Sequence, residues 1–151
     1  THAHGVRGGG TLHAAATVAT AGFMSAADKD KLDKSSNIVT LVEGTDSVNG
    51  DTFTPAGGVV INFATLSLVP GDFIVRWDQV AVPTNNAEVR LQDITGGVTL
   101  GSALAIASTG LKSFALTVLP AGVAYVELQH REAVAGAGTS DIRGATLTIE
   151  T

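Results

Sequence analysis

Arg76, Arg90, Gln92, Tyr125, Glu127, Gln129 and Arg131, together with Asp78 and Glu88, each alternate with apolar neighbours along three separate runs of the chain. Guanidinium forks, amides and carboxylates are the groups that recognise sugar hydroxyls and acids through paired hydrogen bonds. If the three runs lie side by side, these side chains form one polar face. Three uses are open to such a face: a carbohydrate-binding surface, an interface between copies laced with charge pairs, or a solvated sheet. Aromatic partners for a sugar ring are few. Trp77 falls on the apolar side of its run, which leaves Tyr125 as the one large aromatic to contact a glycan. The segments Thr84-Asn85-Asn86 and Ala133–Ser140 offer a second location, because loops at a sandwich tip carry recognition without disturbing the core.

His2 and His4 are the next candidates. In an extended strand residues i and i+2 point to the same side, so the two imidazoles project together. One chain brings only two ligands, which is weak for a metal. His13 reads as a packing residue, and His130 shares its side of a strand with Val126 and Leu128, as a hydrogen-bonded, partly buried histidine does. No strand–turn–helix nucleophile elbow occurs. Gly8-Gly9-Gly10 lacks the following Lys-Ser/Thr of a phosphate loop. Asp72, Asp78, Glu88 and Asp93 can be combined into any acid pair and so decide nothing. The chain reads as non-enzymatic, with a depolymerase fragment as the enzymatic rival.

The elements that must position these residues are strands. Phe73, Val75 and Trp77 alternate with Arg76 and Asp78; Val89 and Leu91 with Glu88, Arg90 and Gln92; Ala124, Val126 and Leu128 with Tyr125, Glu127, Gln129 and Arg131. Ala145, Leu147 and Ile149 alternate with Thr146, Thr148 and Glu150, and Leu111–Leu119 sets Phe114, Leu116 and Val118 on one face. Ile38–Glu43 and Gly57–Val69 are apolar runs, the second carrying Val59, Val60, Ile61, Phe63, Leu66 and Leu68. Period-2 alternation marks half-buried strands. Pro70-Gly71, Gly96-Gly97 and Pro120-Ala121-Gly122 are turns, and the Gly/Ala-rich Ala133–Thr139 is a mobile loop. About eight strands at this spacing predict an antiparallel β-sandwich, jelly-roll-like, over residues 38–151.

Composition narrows the field. There is no cysteine, hence no disulfide framework and no Cys-based zinc site. The net charge is −5 and the basic residues are scattered, which disfavours binding to nucleic acid. No apolar run approaches the roughly 20 residues of a membrane span, and no basic-then-apolar leader opens the chain. Charged residues are only 15% of the total, as in chains whose surface is hidden in an assembly. The sequence does not begin with Met, and its one Met is Met24, so a fragment or processed product is the expectation.

Residues 1–36 differ from the rest: His2, His4, His13, Lys29, Lys31 and Lys34 gather there and strand-like runs do not. Ser25-Ala26-Ala27-Asp28 fits a helix start, with Ser25 as cap and Asp28 in the first turn, predicting a short helix near residues 26–34. A helix that short needs packing to persist. Phe23, Met24 and Leu32 supply the apolar surface, either against other copies on an axis or against the chain's own sandwich.

Thr11-Leu12-His13-Ala14-Ala15-Ala16-Thr17 followed by Ala21-Gly22-Phe23-Met24-Ser25-Ala26-Ala27-Asp28-Lys29-Asp30-Lys31-Leu32-Asp33 resembles a segment of bacteriophage and prophage tail-fibre proteins, of the form LHA-x-AT…AGFMSAADKxKLD. The match is nearly complete over residues 11–33 and departs after Asp33, where the family often has Gly and this chain has Lys34-Ser35-Ser36. Thr1-His2-Ala3-His4-Gly5 is similar to the His-x-His of fibre shafts and spike tips. The resemblance implies a homotrimer, with residues 1–36 as a neck between shaft and head and with Phe23, Met24 and Leu32 packed at the axis. On a three-fold axis, His2 and His4 of three chains would offer six nitrogens, an octahedral site for iron, nickel or zinc. The implied function is adhesion of the virion to a bacterial surface receptor such as a glycan, outside the cell and without insertion into the membrane. The structural rival is a trimerisation module, spacer or capsid-head fibre that binds no receptor.

Overall fold

The computed structural model describes residues 38–65 and 68–150. The expected helix near 26–34, the packing residues Phe23, Met24 and Leu32, and Leu66 lie outside them. Among the described residues, nine strands and two single 3-10 turns, Phe63–Thr65 and Pro70–Asp72, make up the regular structure. No helix there is long and apolar enough to cross a membrane.

The strands are β1 (Ile38–Thr40), β2 (Thr45–Val48), β3 (Thr54–Asn62), β4 (Phe73–Ala81), β5 (Ala87–Asp93), β6 (Val98–Ile106), β7 (Gly110–Ala115), β8 (Val123–Glu132) and β9 (Ser140–Ile149). They form two antiparallel sheets. In the first the order is β1-β9-β4-β7, with β2 also on β9; in the second it is β3-β8-β5-β6. β1 lies along Thr146–Thr148 and β2 along Ser140–Arg143, the same edge of β9. Between them the N–H groups of Leu41 and Val42 both donate to the Ala145 carbonyl, at 2.8 and 3.1 Å. β1 and β2 are therefore one edge strand interrupted by a bend. Counted so, every later connection except the β5–β6 hairpin crosses from one sheet to the other. That is the strand order of a jelly roll.

The alternation read from the sequence orients the strands as expected. Phe73, Val75 and Trp77 of β4, Val89 and Leu91 of β5, Ala124, Val126 and Leu128 of β8, and Ile142, Ala145 and Leu147 of β9 fill the space between the sheets. Trp77 meets Phe114 edge-on with ring centroids 5.6 Å apart, and Phe63 meets Phe73 at 5.6 Å. Burial of such side chains stabilises by roughly 1.5–3 kcal/mol each.

Several expectations are corrected. The run Gly57–Val69 is not one strand. β3 starts earlier, at Thr54, and ends at Asn62, whose side-chain oxygen accepts from Ala64 N at 3.2 Å and turns the chain. Ile38–Glu43 forms a strand only to Thr40. Val118 is 39% exposed, because β7 stops at Ala115 and Thr117 N then bonds to the Leu100 carbonyl. β2 and β6 were not anticipated. β6 carries Gly101, Ser102 and Ala103 where an apolar alternation would have marked it, and its pairing with β5 is broken by two register shifts. Gly101 is required by packing: a Cβ there would meet the Ala115 carbonyl at 2.9 Å and the Phe114 ring at 3.0 Å. Ala133–Thr139 is a loop, but it is tied down at Ala137, whose N–H donates to Glu132 Oε2 and whose carbonyl accepts from Thr84 N, both at 2.8 Å.

Candidate functional site

Antiparallel register places cross-strand partners on one face. On the outer side of the second sheet, β5 and β8 align Glu88 with Arg131, Arg90 with Gln129, and Gln92 with Glu127. The outward residues of two of the three runs thus form a three-rung ladder. Arg131 Nε donates to Glu88 Oε2 at 2.7 Å and its Nη1 to the Asp51 carbonyl at 2.9 Å. Arg90 Nε donates to Gln129 Oε1 at 2.9 Å, and Gln129 Nε2 donates on to Glu127 Oε2 at 3.0 Å. Thr99 of β6 donates to Gln92 Oε1 at 2.8 Å. Tyr125 follows on the same face, 39% exposed, with its hydroxyl over Gly58 of β3. A Cβ at residue 58 would stand 2.8 Å from that oxygen, so the glycine makes room for the ring.

Phe53 completes the site. It precedes β3 and its ring lies under both guanidinium groups, 3.9 Å from Arg90 Cζ and 4.4 Å from Arg131 Cζ. No alternation marked it, since it sits in the connection after β2. Burial, and secondarily the Arg131 charge, hold Arg90 below the ordinary arginine pKa. It remains a cation, because guanidinium does not deprotonate in proteins.

Arg76 does not belong to this group. β4 is in the first sheet, so Arg76 and Asp78 face away on the opposite side of the sandwich. There Arg76 grips Glu150 through both terminal nitrogens and reaches Thr148 Oγ1 at 3.0 Å, while Asp78 pairs with Arg143 at 2.6 Å. The sequence could not separate the two sets, because inward and outward are visible along a strand but sheet membership is not.

A second constellation is internal. At one end of the sandwich the inward rows of β4, β8 and β9 become polar with Gln79, His130, Glu132 and Ser140, all fully buried. Trp77 Nε1 donates to Gln79 Oε1 at 2.9 Å, and Gln79 Nε2 donates to Ser140 Oγ at 3.2 Å. Ser140 Oγ is 3.0 Å from His130 Nδ1, and His130 Nε2 is 2.7 Å from Asp46 Oδ2. A neutral ring protonated on Nε2 satisfies His130, Ser140 and Asp46, with the serine hydroxyl donating to Nδ1, whereas Glu132 Oε1 is buried without a hydrogen-bond partner. Desolvation lowers the His130 pKa, against the pull of Asp46 in the other direction. Ser, His and Asp meet here as in a hydrolytic triad, but Ser140 Oγ is sealed inside and already takes the Gln79 amide. The arrangement braces the sandwich end; no substrate carbonyl can reach the hydroxyl. His130 is thus the satisfied histidine expected of its strand position, and more deeply buried.

His2, His4 and His13 lie outside the described residues. Among the described residues no group of three or more His, Asp or Glu is placed to hold a metal ion.

No protein-family model matches the chain. No curated protein matches it. Two solved structures are similar in part. One is the infectious bursal disease virus VP2 subviral particle, at 14% identity and TM-score 0.39, covering 75% of this chain and 32% of that one. The other is described as Bacillus endospore appendages forming a family of disulfide-linked pili, at 13% identity and TM-score 0.31, covering 76% of this chain and 90% of that one. The chain therefore spans about a third of the VP2 chain's length.

Proposed function

We propose that this chain belongs to a bacteriophage tail fibre, as a homotrimeric adhesin that attaches the virion to a bacterial surface glycan without catalysing a reaction. The neck-like segment of residues 11–33 supports the tail-fibre reading, and the jelly-roll unit supplies a rigid head. The observation that carries the binding role is the ladder on β5 and β8, where Arg90, Gln92, Tyr125, Glu127 and Arg131 stand on one outer face around the buried Gln129. Side chains held by one another on rigid strands lose little freedom when a ligand arrives. Three weak sites per fibre then add by effective concentration. His2 and His4 of three chains would close the neck around iron, nickel or zinc.

The test is binding of the labelled full chain to host cells and to a glycan array, with light scattering and metal analysis on the same sample. Saturable binding by a particle of three chains is expected, with about one metal ion per trimer in line with an axial six-nitrogen site. A monomer that binds no cell surface sinks the reading. Release of reducing ends from host polysaccharide would point to the depolymerase instead.

A structural spacer or capsid-head fibre is the second reading. Val60 and Val123, 63% and 62% exposed, flank Tyr125 and make that end of the same face apolar, as a contact between copies would be. A trimer that dissociates on Val60→Asp substitution yet never binds cells would favour it.

A further inference from the structure

We infer that the paired Nη groups of Arg90 are the anchor for a carboxylate on an acidic sugar, a uronate-type unit of the surface glycan. The inference rests on the adhesin reading above and names the chemistry of its ligand.

Of the two arginines of the outer ladder, Arg90 has no carboxylate partner among the described residues. Arg131 is bound by Glu88, and Glu127 takes the Gln129 amide. Arg90 gives only its Nε–H, to Gln129 Oε1. Its two terminal nitrogens make no hydrogen bond or ion pair within the described residues. One face of the guanidinium is fixed by the Phe53 ring at 3.9 Å, and the Gln129 bond fixes its rotation. A planar fork held in both respects, with its end open, is the geometry that takes a carboxylate through two parallel bonds. Ser102 of β6 stands opposite Arg90 on the same face, exposed, and adds a hydroxyl beside the fork.

The neighbours set the charge of the ligand. Glu88 and Glu127 flank Arg90 on the adjoining rungs. With Arg131 already paired to Glu88, Arg90 faces Glu127 as the one carboxylate without a cationic partner, and this balance accommodates a monoanion better than a phosphate dianion. Arg90 is also partly desolvated and repelled by Arg131, so an incoming anion relieves the cation and replaces water already thinned around it.

The experiment is an NMR titration of the full chain, following arginine Nε–H signals, with a glucuronate-containing oligosaccharide, its carboxyl-reduced neutral counterpart, and a sugar phosphate. The acidic oligosaccharide should shift the Arg90 signal, and the neutral counterpart should bind about tenfold more weakly, the scale of a lost charged hydrogen bond. Arg90→Lys, which keeps the charge and loses the fork, should lose a similar factor; Arg143→Ala on the far sheet should change nothing. Equal binding of the neutral sugar, tighter binding of the phosphate, or full affinity in Arg90→Lys overturns the inference. Cell binding separates the two levels. If the wild-type chain and Arg90→Lys hold cells equally, the adhesin reading stands and the carboxylate anchor falls. If the wild-type chain binds neither cells nor sugar, both fall.

Discussion

His130 and Asp46 are 84 residues apart in the chain, yet Nε2 of one lies 2.7 Å from Oδ2 of the other. β2 brings the aspartate to β9, and β8 carries the histidine inward beneath it. The pair is asymmetric, with the ring fully buried and the carboxylate side chain 37% exposed. Desolvation outweighs the carboxylate, and the imidazole is held neutral.

That balance makes stability depend on pH in a definite direction. With the folded pKa below the unfolded value of about 6.5, the ring is neutral in both states above that pH, and the stabilisation is fully present. Below it the unfolded chain takes up a proton that the folded one refuses, so stability falls as pH drops from 6.5 through the folded value. Urea midpoints measured from pH 8 to pH 5 should decline over that window, and His130→Gln should flatten the decline. An imidazole NMR titration with a midpoint above 6.5 would show that Asp46 wins after all.

Ser140 links two elements of the same network, accepting from Gln79 and donating to His130. Ser140→Ala leaves His130 Nδ1 without a partner in a site with no water access, at a cost of roughly 1–3 kcal/mol. Denaturant unfolding measures it. A double-mutant cycle with Gln79→Leu should show strong coupling, since the two side chains share one chain of bonds. Glycan and cell binding should be unchanged, because the outer ladder is on the other side of β8. Loss of binding without loss of stability would show that the buried serine has a function of its own.

Gly101 tests the packing between β6 and β7. Gly101→Ala places a methyl 2.9 Å from the Ala115 carbonyl, and overpacking of this kind costs about 1–3 kcal/mol. Gly71→Ala, where nothing lies within 4 Å, is the control and should melt close to wild type. Equal melting temperatures for the two variants would mean that β6 yields freely and does not clamp the edge of the sandwich.

The strands β4, β5 and β8 and the part of β9 from Ala145 onward were legible in the sequence because each alternates apolar with polar residues, and a strand exposes that period directly; Ser140–Gly144 of β9 was not. The inward position of Trp77 and the outward position of Arg90, Gln92, Glu127, Gln129 and Arg131 follow from the same rule. β6 was hidden because Gly101, Ser102 and Ala103 carry no such contrast. The run at Gly57–Val69 misled because apolar content alone does not say where a chain turns. Only the tertiary structure decided which strands are neighbours. It put β5 beside β8 and β4 in the opposite sheet, which divided one apparent polar set into an open ladder around Arg90 and a closed pair at Arg76 and Glu150. It brought Phe53 under two arginines, and it assembled Gln79, Ser140, His130 and Asp46 from four strands. Periodicity is a property of one strand and survives in the sequence. Partnership is set by how the connections cross between sheets, and no local pattern records it.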